Sequence, residues 1–160
     1  MDATPICALV SHTGERVCQI LVALEQFGLQ ENIVVIFTSD YSENLTEHGL
    51  VGKSQPYDSS ASVSLIISYP TTSVIGQRYS EIIETVDIVR TILDWCGIQI
   101  TPQIQKWSFS PPIEGRDYQE RKFVFIELRI PFAHSCKVNC TKHTSIAKVI
   151  LVRNPSSIRQ

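Results

Sequence analysis

From residue 15 to 28 the apolar positions Val17, Ile20, Leu21, Leu24 and Phe27 recur at three- and four-residue spacing. That period predicts an amphipathic helix, with Gly28 placed to close it. A polar turn, Gln30 to Asn32, follows, and Ile33 to Phe37 then runs apolar without alternation. Such a β-branched run predicts a strand covered on both faces, the central strand of a parallel sheet. It gives way abruptly to Thr38-Ser39-Asp40. In open α/β sheets ligands bind outside the carboxyl ends of strands, so Asp40 stands where a ligand is expected. Residues 41–61 are polar, carry Gly49, Gly52 and Pro56, and read as one long loop.

A second strand is predicted over Val63 to Ser68, ended by Tyr69-Pro70. Residues 80–96 hold the clearest helical stripe, formed by Ile82, Ile83, Val86, Val89, Ile92, Leu93 and Cys96, with Ser80 as cap and Gly97 as terminator. Residues 101–115 contain Pro102, Pro111 and Pro112 and read as a connector. Lys122 to Ile130 and Ala147 to Val152 then read as strands that can pair as an antiparallel hairpin. The expected fold class is α/β. Residues 1–100 form the α/β part, and residues 101–160 form a connector with a small antiparallel β unit.

Composition narrows the function. The chain has 160 residues, a size suited to one compact domain, and 43% of them are hydrophobic, enough for a core. The formal net charge is −2, which offers no footprint for nucleic acid. No apolar run approaches the roughly 18 residues of a membrane span. No signal-peptide pattern opens the sequence, which favours a cytoplasmic location. Five cysteines, Cys7, Cys18, Cys96, Cys136 and Cys140, make an odd count that argues against a disulfide framework. Two of them sit with His134 and His143 in a ten-residue stretch. That stretch offers zinc-type ligands at a spacing unlike the standard fingers, and it reads equally as a polar hairpin loop or a local Cys136–Cys140 disulfide.

The first chemical candidate is the loop after Asp40. A strand-end carboxylate followed by His48 and Lys53 suits an anionic ligand held by a divalent cation of the Ca²⁺ or Mg²⁺ class. Lys53, between Gly52 and Ser54, is placed to neutralise a sulfate or phosphate oxygen. The ordinary alternative is that Asp40 caps the next turn and Lys53 is solvated.

Glu31 to Pro70 resembles the sulfatase family of the alkaline-phosphatase-like superfamily. The family pattern is a strand ending Thr-Ser-Asp-His-Gly-Glu, a loop Gly-Glu-His-Gly-Leu-Trp-Gly-Lys, then Arg-Val-Pro before a Pro-Leu-Ile-Ile strand. Here Phe37-Thr38-Ser39-Asp40-Tyr41-Ser42-Glu43 is followed by Glu47-His48-Gly49-Leu50-Val51-Gly52-Lys53 and by Val63-Ser64-Leu65-Ile66-Ile67. Glu15 to Asn32 resembles the helix that precedes the strand. Val86-Asp87-Ile88-Val89-Arg90-Thr91-Ile92-Leu93-Asp94 resembles the family's Val-Asp-Ile-Ala-Pro-Thr-Leu-Leu-Asp. The resemblance covers Cys7 to Ile98 and implies the C-terminal portion of a sulfatase catalytic domain: a partial alkaline-phosphatase-like sheet with flanking helices.

The resemblance implies hydrolysis of a sulfuric ester, Asp40 as a metal ligand, Lys53 as a sulfate contact and His48 as a substrate or structural contact. The departures are equally specific. Tyr41 stands where a second metal ligand is usual, and a phenol with a pKa near 10 is a poor one. Ser42, Val51, Ser62, Ser64 and Arg90 replace a glycine, a tryptophan, an arginine and two prolines. Residues 1–160 contain no Cys/Ser-x-Pro-Ser-Arg nucleophile motif, and nucleophilic catalysis needs nucleophile and activating groups together. The expectation is therefore a site with an altered metal position, not catalytic as this chain alone, whose partner would be a sulfate- or phosphate-ester small molecule. The rival expectation is a non-catalytic interaction module. A strand lacking one neighbour exposes an apolar edge, which predicts self-association or pairing with a chain that supplies the missing half.

Overall fold

The computed structural model describes residues 4–52, 57–70, 76–104, 107–119, 121–128, 136–141 and 147–151. The first element is the helix α1, Thr4–Gln26, which is 23 residues long and begins well before the predicted residue 15. Cys7, Leu9 and Val10 extend its apolar side upstream, and a lone mid-helix glycine such as Gly14 costs only about 1 kcal/mol against alanine. The end is as predicted: Gly28 takes φ +65°, its N–H donates to Glu25 O at 3.0 Å, and the Leu29 N–H donates to Leu24 O at 2.9 Å. These two bonds satisfy carbonyls that the last turn leaves open.

The main sheet has four strands in the order β1-β4-β8-β5: β1 is Val35–Thr38, β4 is Val63–Ser68, β5 is Arg78–Tyr79 and β8 is Ala147–Leu151. Among the described strands β1 is the edge of this sheet and not its centre. It pairs antiparallel with β4, Val35 opposite Ser68 and Thr38 opposite Leu65. The unbroken apolar run therefore does not mark parallel pairing, and its cover is partial: Val35 and Ile36 are half-buried and Phe37 is 40% exposed. Val34 and Ile36 pack toward the core beside Leu65 and Ile67, whereas Val35 and Phe37 face the groove below α1. β4 is parallel to β8, Val63 opposite Ala147, so the fold is a mixed α/β one.

The predicted pairing of Lys122–Ile130 with Ala147–Val152 does not form. β6, Phe123–Leu128, pairs antiparallel with β7, Cys136–Thr141, while β8 returns to the main sheet. A strand with an apolar run is drawn to the larger covered surface beside β4, where its partners Val63, Leu65 and Ile67 are almost fully buried. Of the four zinc-type residues, Cys136 and Cys140 belong to β7 rather than to a loop, and His134 and His143 lie outside the described residues.

The second long helix is shorter than its stripe. The helix α3, Asp87–Trp95, has nine residues, and residues 80–86 are not helical. Asp87 sets the start. Its carboxylate reaches back to the Glu84 N–H at 2.9 Å, and its own N–H donates to Glu84 O at 2.9 Å, a closed turn that anchors the first helical residues. Upstream, Ile82 and Ile83 enter the core from backbone that is neither helix nor strand. Gly97, at φ +65°, ends the helix with the same pair of bonds seen at Gly28.

The predicted connector contributes to the core. Within it lies the one-turn helix α4, Ser110–Ile113, with its two prolines in the first turn, where no N–H is needed. Phe109 and Ile113 are buried against Val63, Leu65, Ile67 and Ile83. The rings of Tyr69 and Trp95 stack at 4.7 Å, and Phe109 meets Trp95 edge-on at 6.2 Å. Thr91 holds this strap in place: its Oγ1 donates to Asp87 O and accepts the Phe109 N–H at 3.1 Å. Among the described residues no helix is long and apolar enough to cross a membrane.

Candidate functional site

The loop predicted over 41–61 is built from small elements. β2, Asn44–Leu45, and β3, Val51–Gly52, form a two-stranded hairpin, with a 3₁₀ turn at Glu47–Gly49 as its tip and a short helix α2, Asp58–Ala61, behind it. Asn44 is the reason the hairpin holds. It is 1% exposed, its Nδ2 donates to Gly52 O at 3.0 Å, and its Oδ1 accepts from the Ser59 hydroxyl. One buried amide thus fixes both hairpin strands to α2. The Ser42 N–H donates to Ser60 O at 3.1 Å and ties the loop's first residues to the same helix.

Asp40 lies directly after the carboxyl end of β1 and is exposed. Beside it the Ser39 hydroxyl donates to Tyr41 O at 2.7 Å, which turns the chain toward the hairpin. Tyr41 is 45% exposed. His48 sits at the hairpin tip with φ 56°, and Thr46 two residues earlier has φ 78°. These are the only non-glycine residues with positive φ among the described residues. Left-handed backbone costs a side-chain-bearing residue roughly 1–2 kcal/mol, so this tip is held against its own preference. The His48 ring stacks on Tyr57 at 4.3 Å and 22°. Lys53 lies outside the described residues, so its relation to Asp40 and His48 is not part of this geometry.

A hard divalent cation takes six to eight oxygen ligands. Among the described residues there is no group of three or more His, Cys, Asp or Glu side chains that could hold one. Asp40 is a single exposed carboxylate with Tyr41 next to it, and these residues do not make a complete coordination set.

A second constellation escaped the sequence reading. Asp87 is 3% exposed, and its carboxylate accepts from Arg121 Nη1 at 2.8 Å and Nη2 at 3.1 Å, from the Trp107 N–H at 3.2 Å, and from the Glu84 N–H. Glu84 adds a second carboxylate 3.1 Å from Arg121 Nη1, and the guanidinium lies 5.5 Å from the centre of the Trp107 ring. The available signal was an acidic residue inside the apolar stretch Val86-Asp87-Ile88. Nothing in the spacing pointed to Arg121. This cluster joins α3 to the start of β6 and is fully used by its own bonds.

The mixed sheet with its helices is a partial α/β fold of the sulfatase-like class, by its likeness to a solved protein. A protein solved in complex with its substrate D-glucosamine-2-N,6-O-disulfate superposes with a TM-score of 0.72 and 27% identity, covering 80% of this chain and 27% of that one. The family described as N-sulphoglucosamine sulphohydrolase, C-terminal, matches residues 46–154, and the chain belongs to it. Arylsulfatase K of Bos taurus is 31% identical over 140 residues, 85% of this chain and 25% of the relative. The N-acetylglucosamine-6-O-sulfatase of Bacteroides thetaiotaomicron is 34% identical over 108 residues, 68% of this chain and 19% of the relative. The chain thus spans about a quarter or less of the length of the curated relatives it matches. The sulfatase resemblance and the partial α/β fold are borne out.

Proposed function

We propose that this chain forms one wall of a sulfatase-type site for the sulfate ester of a small sugar, and that residues 1–160 do not by themselves hydrolyse the ester. In this reading Asp40 contributes one carboxylate to a divalent-metal position whose other ligands come from elsewhere. His48 and Lys53 meet the substrate. The observation that carries the reading is the strained hairpin tip, which holds His48 in left-handed backbone within the loop that follows Asp40. Family membership supports it, and so does the sulfated sugar bound by the solved relative. The absent nucleophile motif and Tyr41 support the non-catalytic half.

The test is a nuclear magnetic resonance titration of the full chain with D-glucosamine-2-N,6-O-disulfate, followed by an aryl sulfate hydrolysis assay. The His48 ring and loop-amide signals should shift saturably, the amide shifts should vanish in His48→Ala and weaken in Lys53→Ala, and the chain should show no turnover. Unchanged His48 signals at millimolar sugar would remove the binding role. Turnover that disappears in Asp40→Ala would remove the non-catalytic part.

A second reading, an interaction module working through a strand edge, is favoured by one observation: β1 is the edge of the main sheet, with Phe37 40% exposed. Its test is the association state of the full chain by sedimentation.

A further inference from the structure

The hairpin tip is closed by its own backbone. The Thr46 N–H donates to Leu50 O at 3.0 Å, the Gly49 N–H to Thr46 O at 3.0 Å and the Leu50 N–H to Glu47 O at 3.1 Å. The base of the hairpin is held separately, by Asn44 and Ser59. Neither set of bonds uses the exposed His48 ring, which lies on Tyr57 with centroids 4.3 Å apart and planes 22° from parallel. Tyr57 is anchored outside the tip. It takes extended backbone, φ −84° and ψ 154°, immediately before α2, and its carbonyl accepts the Ser60 and Ala61 N–H groups at 3.0 and 2.9 Å. The Ser42 N–H, bonded to Ser60 O, ties the same helix to the residues that follow Asp40. Among the described residues neither nitrogen of His48 has a hydrogen-bond partner.

We infer that Tyr57 is a positioning residue for His48: its ring covers one face of the imidazole and fixes the ring plane, so that an imidazole N–H meets an oxygen of the sulfate ester edge-on. This deepens the sulfatase-type site proposed above and rests on it. Stacked rings meet through their faces, and the N–H groups lie in the ring plane, so the stack consumes no donor. Core formation does not account for the pair, because Tyr57 is 39% exposed and His48 is exposed as well. Closure of the tip does not account for it either, because the backbone bonds achieve that. What the stack changes is freedom. An unsupported histidine on the surface samples three χ1 wells and about two χ2 orientations, about six arrangements in all. Holding one of them removes an ordering cost that binding would otherwise carry, up to about sixfold in affinity. The left-handed backbone belongs to the same arrangement, since at φ 56° the His48 side chain meets Tyr57.

The test compares the full chain with Tyr57→Phe, which keeps the stack, and Tyr57→Leu, which removes it at similar bulk. Three nuclear magnetic resonance readouts are taken: the His48 ring-proton shifts of the free protein, amide exchange in β2 and β3, and the dissociation constant for D-glucosamine-2-N,6-O-disulfate from the loop amides. In Tyr57→Leu the His48 ring protons should lose the upfield shift that a facing ring imposes. Hairpin exchange should stay within twofold of wild type, and the sugar should bind about sixfold more weakly. Tyr57→Phe should match wild type in all three. Wild-type affinity in Tyr57→Leu overturns the positioning role and leaves the binding role of His48 standing. Weaker binding together with faster hairpin exchange makes Tyr57 structural and overturns it too. A loss in Tyr57→Phe equal to that in Tyr57→Leu assigns the effect to the hydroxyl and overturns the stack. A wild-type chain that does not respond to the sugar removes the binding role itself, and the positioning role with it.

Discussion

Replacing Arg121 by Met tests whether the buried charge cluster, rather than the apolar stripe, fixes the start of α3. The side chains of Arg121 and Asp87 are 11% and 4% exposed, so each relies on the other and not on water. Met keeps most of the stem volume and deletes the charge. Asp87 is then left with two backbone N–H donors, from Glu84 and Trp107, and no counter-charge. Breaking a buried pair by removing one partner costs about 3–5 kcal/mol. The two surviving N–H bonds place this case at the lower end, about 3 kcal/mol. A domain of this size has about 5–15 kcal/mol in total, so the loss is a large share of it. In urea unfolding, with a slope of about 2 kcal/mol per molar, the midpoint should fall by about 1.5 M. The double variant Asp87→Leu, Arg121→Met should recover part of the loss, because the more deeply buried carboxylate goes with its partner, although Glu84 loses its guanidinium and two backbone N–H groups lose their acceptor. A midpoint within 0.3 M (roughly 0.6 kcal/mol) of wild type in Arg121→Met would refute the reasoning. It would mean that water or another cation already serves Asp87.

Three further outcomes are expected. Phe109→Ala should destabilise by about 3–5 kcal/mol in the same assay, because the ring is 1% exposed between Trp95 and the sheet; a loss below about 1 kcal/mol would show that the strap is dispensable. Asn44→Ala should cost about 1–3 kcal/mol locally and speed amide exchange in β2 and β3 without moving the global midpoint equally; unchanged hairpin exchange would contradict the role given to that amide. For Glu114, burial alone raises the carboxyl, but hydrogen bonds from Ser110 and Arg116 and the Arg116 charge outweigh it and hold the group below the ordinary range. A lowered folded value gives stability that is present above the ordinary carboxylate pKa of about 4.3 and is lost as pH falls through the folded value. Glu114→Gln should therefore flatten stability against pH below about 4.3, and a wild-type acid limb in that variant would rule the linkage out.

The sequence was readable where one physical rule acted alone. Gly28 and Gly97 end their helices because each takes a backbone conformation that other residues avoid, and that signal is local. Ile33 to Phe37 was legible as a strand, though not as a half-buried one. Its partner was not, because a run of apolar residues records what lies above and below a strand and says nothing about what lies beside it. The same limit hid the return of β8 to β4, a pairing across more than eighty residues. The start of α3 was misread because the stripe from Ile82 to Cys96 is not the buried face: Val86, Val89, Ile92 and Cys96 are exposed, and the buried residues of the helix are Asp87 and Thr91. Ile82 and Ile83 are buried, but from backbone outside the helix, and the carboxylate of Asp87 decides where helix begins.

At the candidate site the residue types were legible and their geometry was not. Asp40 was placed by its position after an apolar run, and the structure keeps it at that strand end. Nothing in the loop's polar composition encoded a hairpin, since its anchor is one buried amide, Asn44, indistinguishable in sequence from a solvated one. His48 adopts a conformation usually left to glycine, although Gly49 stands next to it and Gly52 three residues on. Those glycines take positive φ as well, so the tip turns through left-handed backbone at Thr46, His48 and Gly49. A chain optimised only for stability would place glycine or asparagine at residue 48 and relieve roughly 1 kcal/mol. An imidazole kept there, stacked on Tyr57, is the feature of the loop that folding does not require. It is therefore the residue at which binding chemistry and fold stability should pull apart. His48→Gly should leave the urea midpoint equal to or above wild type while abolishing the sugar-induced shift of the loop amides in nuclear magnetic resonance. If His48→Gly instead lowers the midpoint by more than about 1 kcal/mol, the imidazole is structural, and the strain at the tip records packing against Tyr57 rather than a ligand.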